Sequence, residues 1–198
     1  MKKFLLIVLL LVILSACGKT PAAEPTYEHG KLTITFEYEK QSGYATNQFA
    51  VWIEDMDGNY IATVYATKFT ANGGYKNRPD SIPTWVEKSG LANMTKSQVN
   101  AVAGATPKAG TVTYAWDLTN DHGIQVEPGE YRFFVEGSLR WKNRVVYSGV
   151  IQIGGMVATA VADIEFIYEG SDNQAALSSE SSENSMIGAV TATYVPVE

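Results

Sequence analysis

Residues 31–39 read Lys-Leu-Thr-Ile-Thr-Phe-Glu-Tyr-Glu and alternate without a break. Leu32, Ile34, Phe36 and Tyr38 fall on one side; Lys31, Thr33, Thr35, Glu37 and Glu39 fall on the other. Successive strand side chains point to opposite faces, so this period of two marks a strand with one buried and one wet face. Outward from it, 49–55 and 60–69 are apolar, β-branched and aromatic runs separated by Asp57-Gly58-Asn59. Asp-Gly suits the positive-φ backbone of a tight turn, so the two runs read as a hairpin. The same signals predict strands at 111–117, 130–138, 145–153, 156–169 and 187–195. About eight strands with turn residues between most of them indicate an all-β, antiparallel sandwich rather than alternating βαβ units.

Two stretches depart from this pattern. Residues 70–110 are long for a connection between strands. Within them 82–88 and 95–102 read as short helical segments, and a long insertion in a compact domain is the first place to look for a site. Residues 170–185 (GSDNQAALSSESSENS) are Ser-rich, acidic and poor in apolar residues, and read as a mobile excursion between the last two strands.

The N-terminus has a different character. Met1-Lys2-Lys3 precedes an unbroken apolar run of 11 residues from Phe4 to Leu14, followed by Ser15-Ala16-Cys17. Positive charge and a short apolar core make the n- and h-regions of a signal peptide. The run falls short of the ~20 residues a spanning helix needs. Small residues before a cysteine resemble the lipobox of bacterial lipoproteins, in which the signal (1–16) is removed and Cys17 carries a diacylglyceryl thioether. Two acyl chains anchor a protein stably where one does so marginally. Residues 17–29 then read as the lipidated cysteine and a small, polar, Pro-containing tether, and 30–198 as the sandwich domain.

Composition narrows the chemistry. The chain has 198 residues with 15 Lys+Arg against 21 Asp+Glu, a net charge of −6 and a pI near 5.0, a poor balance for binding nucleic acid. Cys17 is its one cysteine and His29 and His122 its two histidines, too few for a disulfide framework, a haem attachment or a Cys/His zinc site. With its thiol used as the anchor, the domain is expected to be held by sheet packing alone. Asp55, Asp57 and Asn59 lack the downstream Glu of a calcium loop, and a hairpin turn accounts for them; Asp117, Asn120 and Asp121 read as a polar turn before Gly123. No Gly-x-Ser-x-Gly elbow, His-Glu-x-x-His or phosphate loop occurs, so no catalytic residues and no metal site are expected. Trp52, Trp85, Trp116 and Trp141 are either core residues or stacking platforms for a ring; Trp85, in the insertion, is the best candidate platform.

Three resemblances follow. Trp116-Asp117, Gly123 and Gly129-Glu130-Tyr131 resemble a hairpin of the Ig-like domain of the flagellar hook-capping protein, which implies a scaffold role in a surface appendage. Over about residues 31–168, Phe49-Ala-Val-Trp-Ile-Glu-Asp55, Asp57-Gly58, Thr63, Trp85, Gly104-Ala105-Thr106, Trp116-Asp117 and Gly129-Glu130-Tyr131 look like a bacterial family known as predicted periplasmic proteins of unknown function. That likeness implies an extracytoplasmic, Ig-like domain whose genes often accompany flavin transferases. Third, residues 100–106 (NAVAGAT) resemble the site at which such a transferase joins FMN to a threonine by a phosphoester. Gly104, Ala105 and Thr106 match; Asn100 and Ala103 stand where the pattern has Asp and Ser or Thr. Pro107 holds Thr106 to extended conformations, and the competing reading is a structural turn. The expectation is therefore a non-enzymatic, lipid-anchored binding or accessory module on the extracytoplasmic face of the membrane, with an envelope protein as partner. The alternative is a carrier of FMN on Thr106.

Overall fold

A computed structural model of the protein describes residues 30–42, 46–139, 143–167 and 186–197. Cys17, His29, Trp141 and the 170–185 segment lie outside the described residues. Among the described residues ten strands form two sheets: β1 (Gly30–Tyr38), β2 (Phe49–Glu54), β3 (Tyr60–Thr67), β4 (Ala103–Gly104), β5 (Gly110–Trp116), β6 (Gly129–Ser138), β7 (Arg144–Ile153), β8 (Ala158–Val161), β9 (Asp163–Ile167) and β10 (Thr191–Pro196). One sheet has the order β5-β1-β10-β8, the other β4-β3-β2-β6-β7-β9. All pairings are antiparallel except β3 with β4.

The alternation in β1 does what the sequence predicts. Leu32, Ile34, Phe36 and Tyr38 are all buried, facing Phe49, Val51 and Ile53 of β2, Phe133 and Val135 of β6, and Val145 and Tyr147 of β7. The opposite face of the smaller sheet is rich in threonine. Thr35 and Thr113 share a hydroxyl–hydroxyl bond of 2.9 Å, Thr33 donates to the Thr193 carbonyl at 3.3 Å, and Thr111 donates to Glu37. Cross-strand bonds of this kind suit a face left in water.

The larger sheet is covered on both sides, and here the expectation of sheet packing alone needs correcting. Residues 68–102 fold into a third layer of short helices, α1 (Lys68–Ala71), α2 (Pro83–Lys88) and α3 (Lys96–Val102), with two 3-10 turns. Ala71, Ile82, Trp85, Leu91 and Val99 from this layer pack on Ala50, Trp52, Ala66, Phe134 and Val146 of the sheet and make a second core. β2 is buried along its whole length for this reason, which explains why its sequence, Phe-Ala-Val-Trp-Ile-Glu, is nearly all apolar rather than alternating.

Three strand expectations change. The run at 60–69 ends at Thr67, where the chain turns into α1. The described part of the segment 156–169 is two strands: β8 pairs with β10 in one sheet, and after Ala162 β9 pairs with β7 in the other. A strand that crosses between sheets needs a corner, and alternation alone does not reveal one. The last strand runs 191–196 rather than 187–195; Ile187 makes a lone bridge to Tyr38. The two helical segments stand nearly as predicted, with Thr95 as the N-cap of α3.

Candidate functional site

One long side of the sandwich brings the edge strand β5 of the smaller sheet beside β3 of the larger one. β4 covers only the far end of β3, through Ala66–Ala103 and Thr67–Gly104 pairs. The capping box of Thr95 and Gln98 fixes where α3 starts: Gln98 N–H donates to Thr95 Oγ1 at 3.3 Å and Thr95 N–H to Gln98 Oε1 at 2.9 Å. Because α3 ends at Val102, Ala103 and Gly104 drop straight onto the β3 edge.

The next residues are held by an aromatic platform. Tyr65 of β3 stacks on Tyr114 of β5 with centroids 4.2 Å apart, and on Phe49 at 5.2 Å. The Tyr65 hydroxyl donates to the Ala105 carbonyl at 2.5 Å. Gly104 lies flat on the Tyr65 ring, where any Cβ would collide with it. Thr106 follows in exposed chain outside any helix or strand, with exposed Lys108 beyond Pro107. Burial pushes the hydroxyl pKa of both Tyr65 and Tyr114 up, so each keeps its proton. Gly104, Ala105 and Thr106, picked out from the sequence, are thus contiguous on one edge, and Tyr65 and Tyr114 are the partners that sequence reasoning missed. Tyr65 was legible only as one more aromatic in a strand.

At the other end of this edge is a cleft of about 280 Å³ between the start of β3, α3 and the β5–β6 connection. Tyr60, Thr63, Gln98, Asp117 and Asp121 contribute its polar groups. Its floor is a chain of bonds: Trp85 Nε1 donates to Thr63 Oγ1 at 2.9 Å, and the Thr63 and Tyr60 hydroxyls are 2.8 Å apart. The connection is a self-bonded turn, with Asp117 Oδ1 accepting from the Thr119 hydroxyl at 2.6 Å and Asn120 Oδ1 from His122 N–H at 3.0 Å. His122 is exposed, with Asp121 at 3.5 Å.

The three described tryptophans behave as core. Trp85 and Trp52 are wholly buried and Trp116 nearly so. Trp85 therefore cannot be the stacking platform its place in the insertion suggests: the insertion is a packed layer, and Trp85 is what fastens it to the sheet. Asp55 accepts from Asn59 N–H and Nδ2 at 2.8 Å each, and these bonds hold its carboxyl pKa down, as expected of a turn residue. Among the described residues no group of three His, Cys, Asp or Glu side chains is placed to hold a metal ion.

Two buried carboxylates support the third layer. Glu136 accepts from Trp85 N–H at 2.8 Å and Thr84 N–H at 3.2 Å, with Arg144 Nε at 3.4 Å, so it caps the start of α2. Ser138 Oγ beside it accepts from Ile82 N–H at 3.0 Å. Glu54 accepts from Trp52 Nε1 at 2.8 Å and Lys88 Nζ at 3.2 Å. A charged residue inside the apolar run 133–138 was the available signal for Glu136.

No helix among the described residues is long and apolar enough to cross a membrane. The sequence profile of a family described as predicted periplasmic protein (DUF2271) matches residues 30–165. No curated protein and no solved structure matches the chain, so the likeness to the flagellar hook-capping protein gains no support.

Proposed function

We propose, from the premise that this chain belongs to the DUF2271 family of predicted periplasmic proteins, that it is a lipid-anchored accessory module on the extracytoplasmic face of the membrane. The carrying observation is the family's compartment, which agrees with the signal-like run that ends at Cys17. The family match and β1 both start at Gly30, which supports reading residues 17–29 as a tether ahead of the domain. Its role is to bind a protein of the same envelope complex rather than to catalyse a reaction. Intact mass of the protein extracted from its native membranes tests the anchor. A diacylglyceryl-sized addition on Cys17 and release of Cys17→Ala from the membrane are expected; an unmodified Cys17 overturns the anchor. Cross-linked capture in those membranes is expected to return an envelope protein. Turnover of a substrate by the purified domain overturns the accessory role.

A second reading is favoured by one specific observation, the exposure of Thr106 on a loop whose preceding residues are held to β3. In it Thr106 carries FMN. The residues present fit covalent attachment, since the hydroxyl faces solvent and Gly104 adds no side chain beside it. The Thr106 oxygen attacks the FMN-side phosphorus of a flavin adenine dinucleotide donor. A P–O–C ester forms, the pyrophosphate bond breaks, AMP leaves, and the hydroxyl proton passes to a base of the transferase. Once attached, FMN would supply electron transfer. A flavin-sized mass and in-gel fluorescence, both lost in Thr106→Ala, are expected. An unmodified mass in cells that express a flavin transferase overturns it.

A further inference from the structure

We infer that Tyr65 is the positioning residue for modification at Thr106, holding the acceptor segment through its bond to the Ala105 carbonyl. The inference rests on the reading of Thr106 as a flavin acceptor and adds what makes that threonine a competent one.

A transferase acting on a folded protein has to take the acceptor hydroxyl and its flanking backbone in one conformation. A loop whose backbone is already held spares the enzyme part of the ordering cost. Here the three residues before Thr106 are each fixed by β3. Ala103 and Gly104 are held by parallel backbone pairing with Ala66 and Thr67. Ala105 lies beyond the last paired residue, and its carbonyl is held by the Tyr65 side chain. Pro107 restrains Thr106 from the other side.

Tyr65 is itself held: its ring is stacked on Tyr114 and Phe49, so the hydroxyl is presented at a fixed point. Burial keeps that hydroxyl protonated and able to donate. Gly104 is the complement of this arrangement, because a Cβ there would collide with the Tyr65 ring and push it off the Ala105 carbonyl. The glycine of the motif thus serves the tyrosine beneath it. Thr106 itself remains exposed.

The test uses the full-length protein as substrate for a flavin transferase with flavin adenine dinucleotide, following FMN incorporation by fluorescence. Tyr65→Phe removes the hydroxyl and leaves the ring stack. A lost hydrogen bond worth about 1 kcal/mol corresponds to roughly fivefold. The expected result is a KM for the protein substrate about fivefold higher, with kcat unchanged. Tryptic cleavage after Lys108 is expected to quicken by a similar factor while Tm stays within a few degrees. Gly104→Ala keeps the hydroxyl but displaces the ring, and is expected to raise KM likewise; it serves as the second variant should Tyr65→Phe fail to fold. Thr106→Ser is expected to be modified with the wild-type KM. Wild-type KM and wild-type cleavage in both loop variants overturn the role of Tyr65 while leaving the acceptor reading intact. A wild-type protein that takes up no FMN overturns the acceptor reading and the positioning role with it.

Discussion

Replacing Glu136 with alanine should loosen the third layer more than any other polar substitution in the domain. The carboxylate is fully buried and accepts two backbone N–H groups at the start of α2, with Arg144 alongside. Each buried donor left without an acceptor costs about 1–3 kcal/mol, and breaking a buried ion pair from one side costs about 3–5 kcal/mol. The terms overlap at one site, so the expected loss for Glu136→Ala is about 3–5 kcal/mol. Glu136→Gln keeps one acceptor and should lose about half as much. The pH dependence sharpens the test. Burial raises the Glu136 pKa above its ordinary value, outweighing the hydrogen bonds and Arg144, which lower it. The folded protein then binds this proton more tightly than the unfolded chain, so stability falls as pH rises. The favourable contribution is complete below the unfolded carboxyl pKa, near 4.5. It is lost as pH climbs through the raised folded value, at up to about 1.4 kcal/mol per pH unit. Urea unfolding of wild type and Glu136→Gln from pH 4 to 8 reads the difference directly. The wild type's advantage over Glu136→Gln should shrink with rising pH. A flat or rising difference, or a Glu136→Ala loss below about 1 kcal/mol, refutes the role given to this carboxylate.

Other outcomes follow from the same structure. Trp85→Ala should cost about 3–5 kcal/mol by chemical denaturation, because it empties the centre of the second core and breaks the bond to Thr63; a loss under about 1 kcal/mol would return Trp85 to the list of binding residues. The Tyr38 hydroxyl is buried with no hydrogen-bond partner among the described residues, and its pKa is pushed up to about 12 by burial and by Tyr65. Tyr38→Phe should therefore be neutral or stabilising by up to about 1 kcal/mol, and a clear drop in Tm would show a missed partner. Thr95→Ala removes the capping box of α3 and should cost about 1 kcal/mol, seen as faster amide exchange confined to residues 96–102.

Much of the fold was legible where one face is wet. β1 shows its period of two, and the Asp57-Gly58 turn sits between β2 and β3 as the residues require. Legibility fails where a strand is buried on both faces or changes sheets. β2 is doubly covered, so its sequence carries no face information, and the short helices legible at 82–88 and 95–102 do not reveal that they pack on it. Ala162 gives no sign that the chain leaves one sheet for the other. At the candidate site the Gly-Ala-Thr stretch was legible as an open loop. Its support was not, because Tyr65 lies 40 residues from Ala105 along the chain and meets it through a parallel pairing that sequence spacing cannot show.

The double burial of β2 has a consequence for how the domain comes apart. β2 is the most deeply buried part of a wall, shared with β6 and β7, whose two faces line the two cores, so loss of one core exposes the back of the other. The helical layer is then no detachable module. Deleting residues 68–102 would turn Trp52, Phe134 and Val146 out into water and cost the sandwich its own integrity. Loss of the layer and loss of the sandwich should appear as a single cooperative transition, with tryptophan fluorescence and sheet circular dichroism moving together.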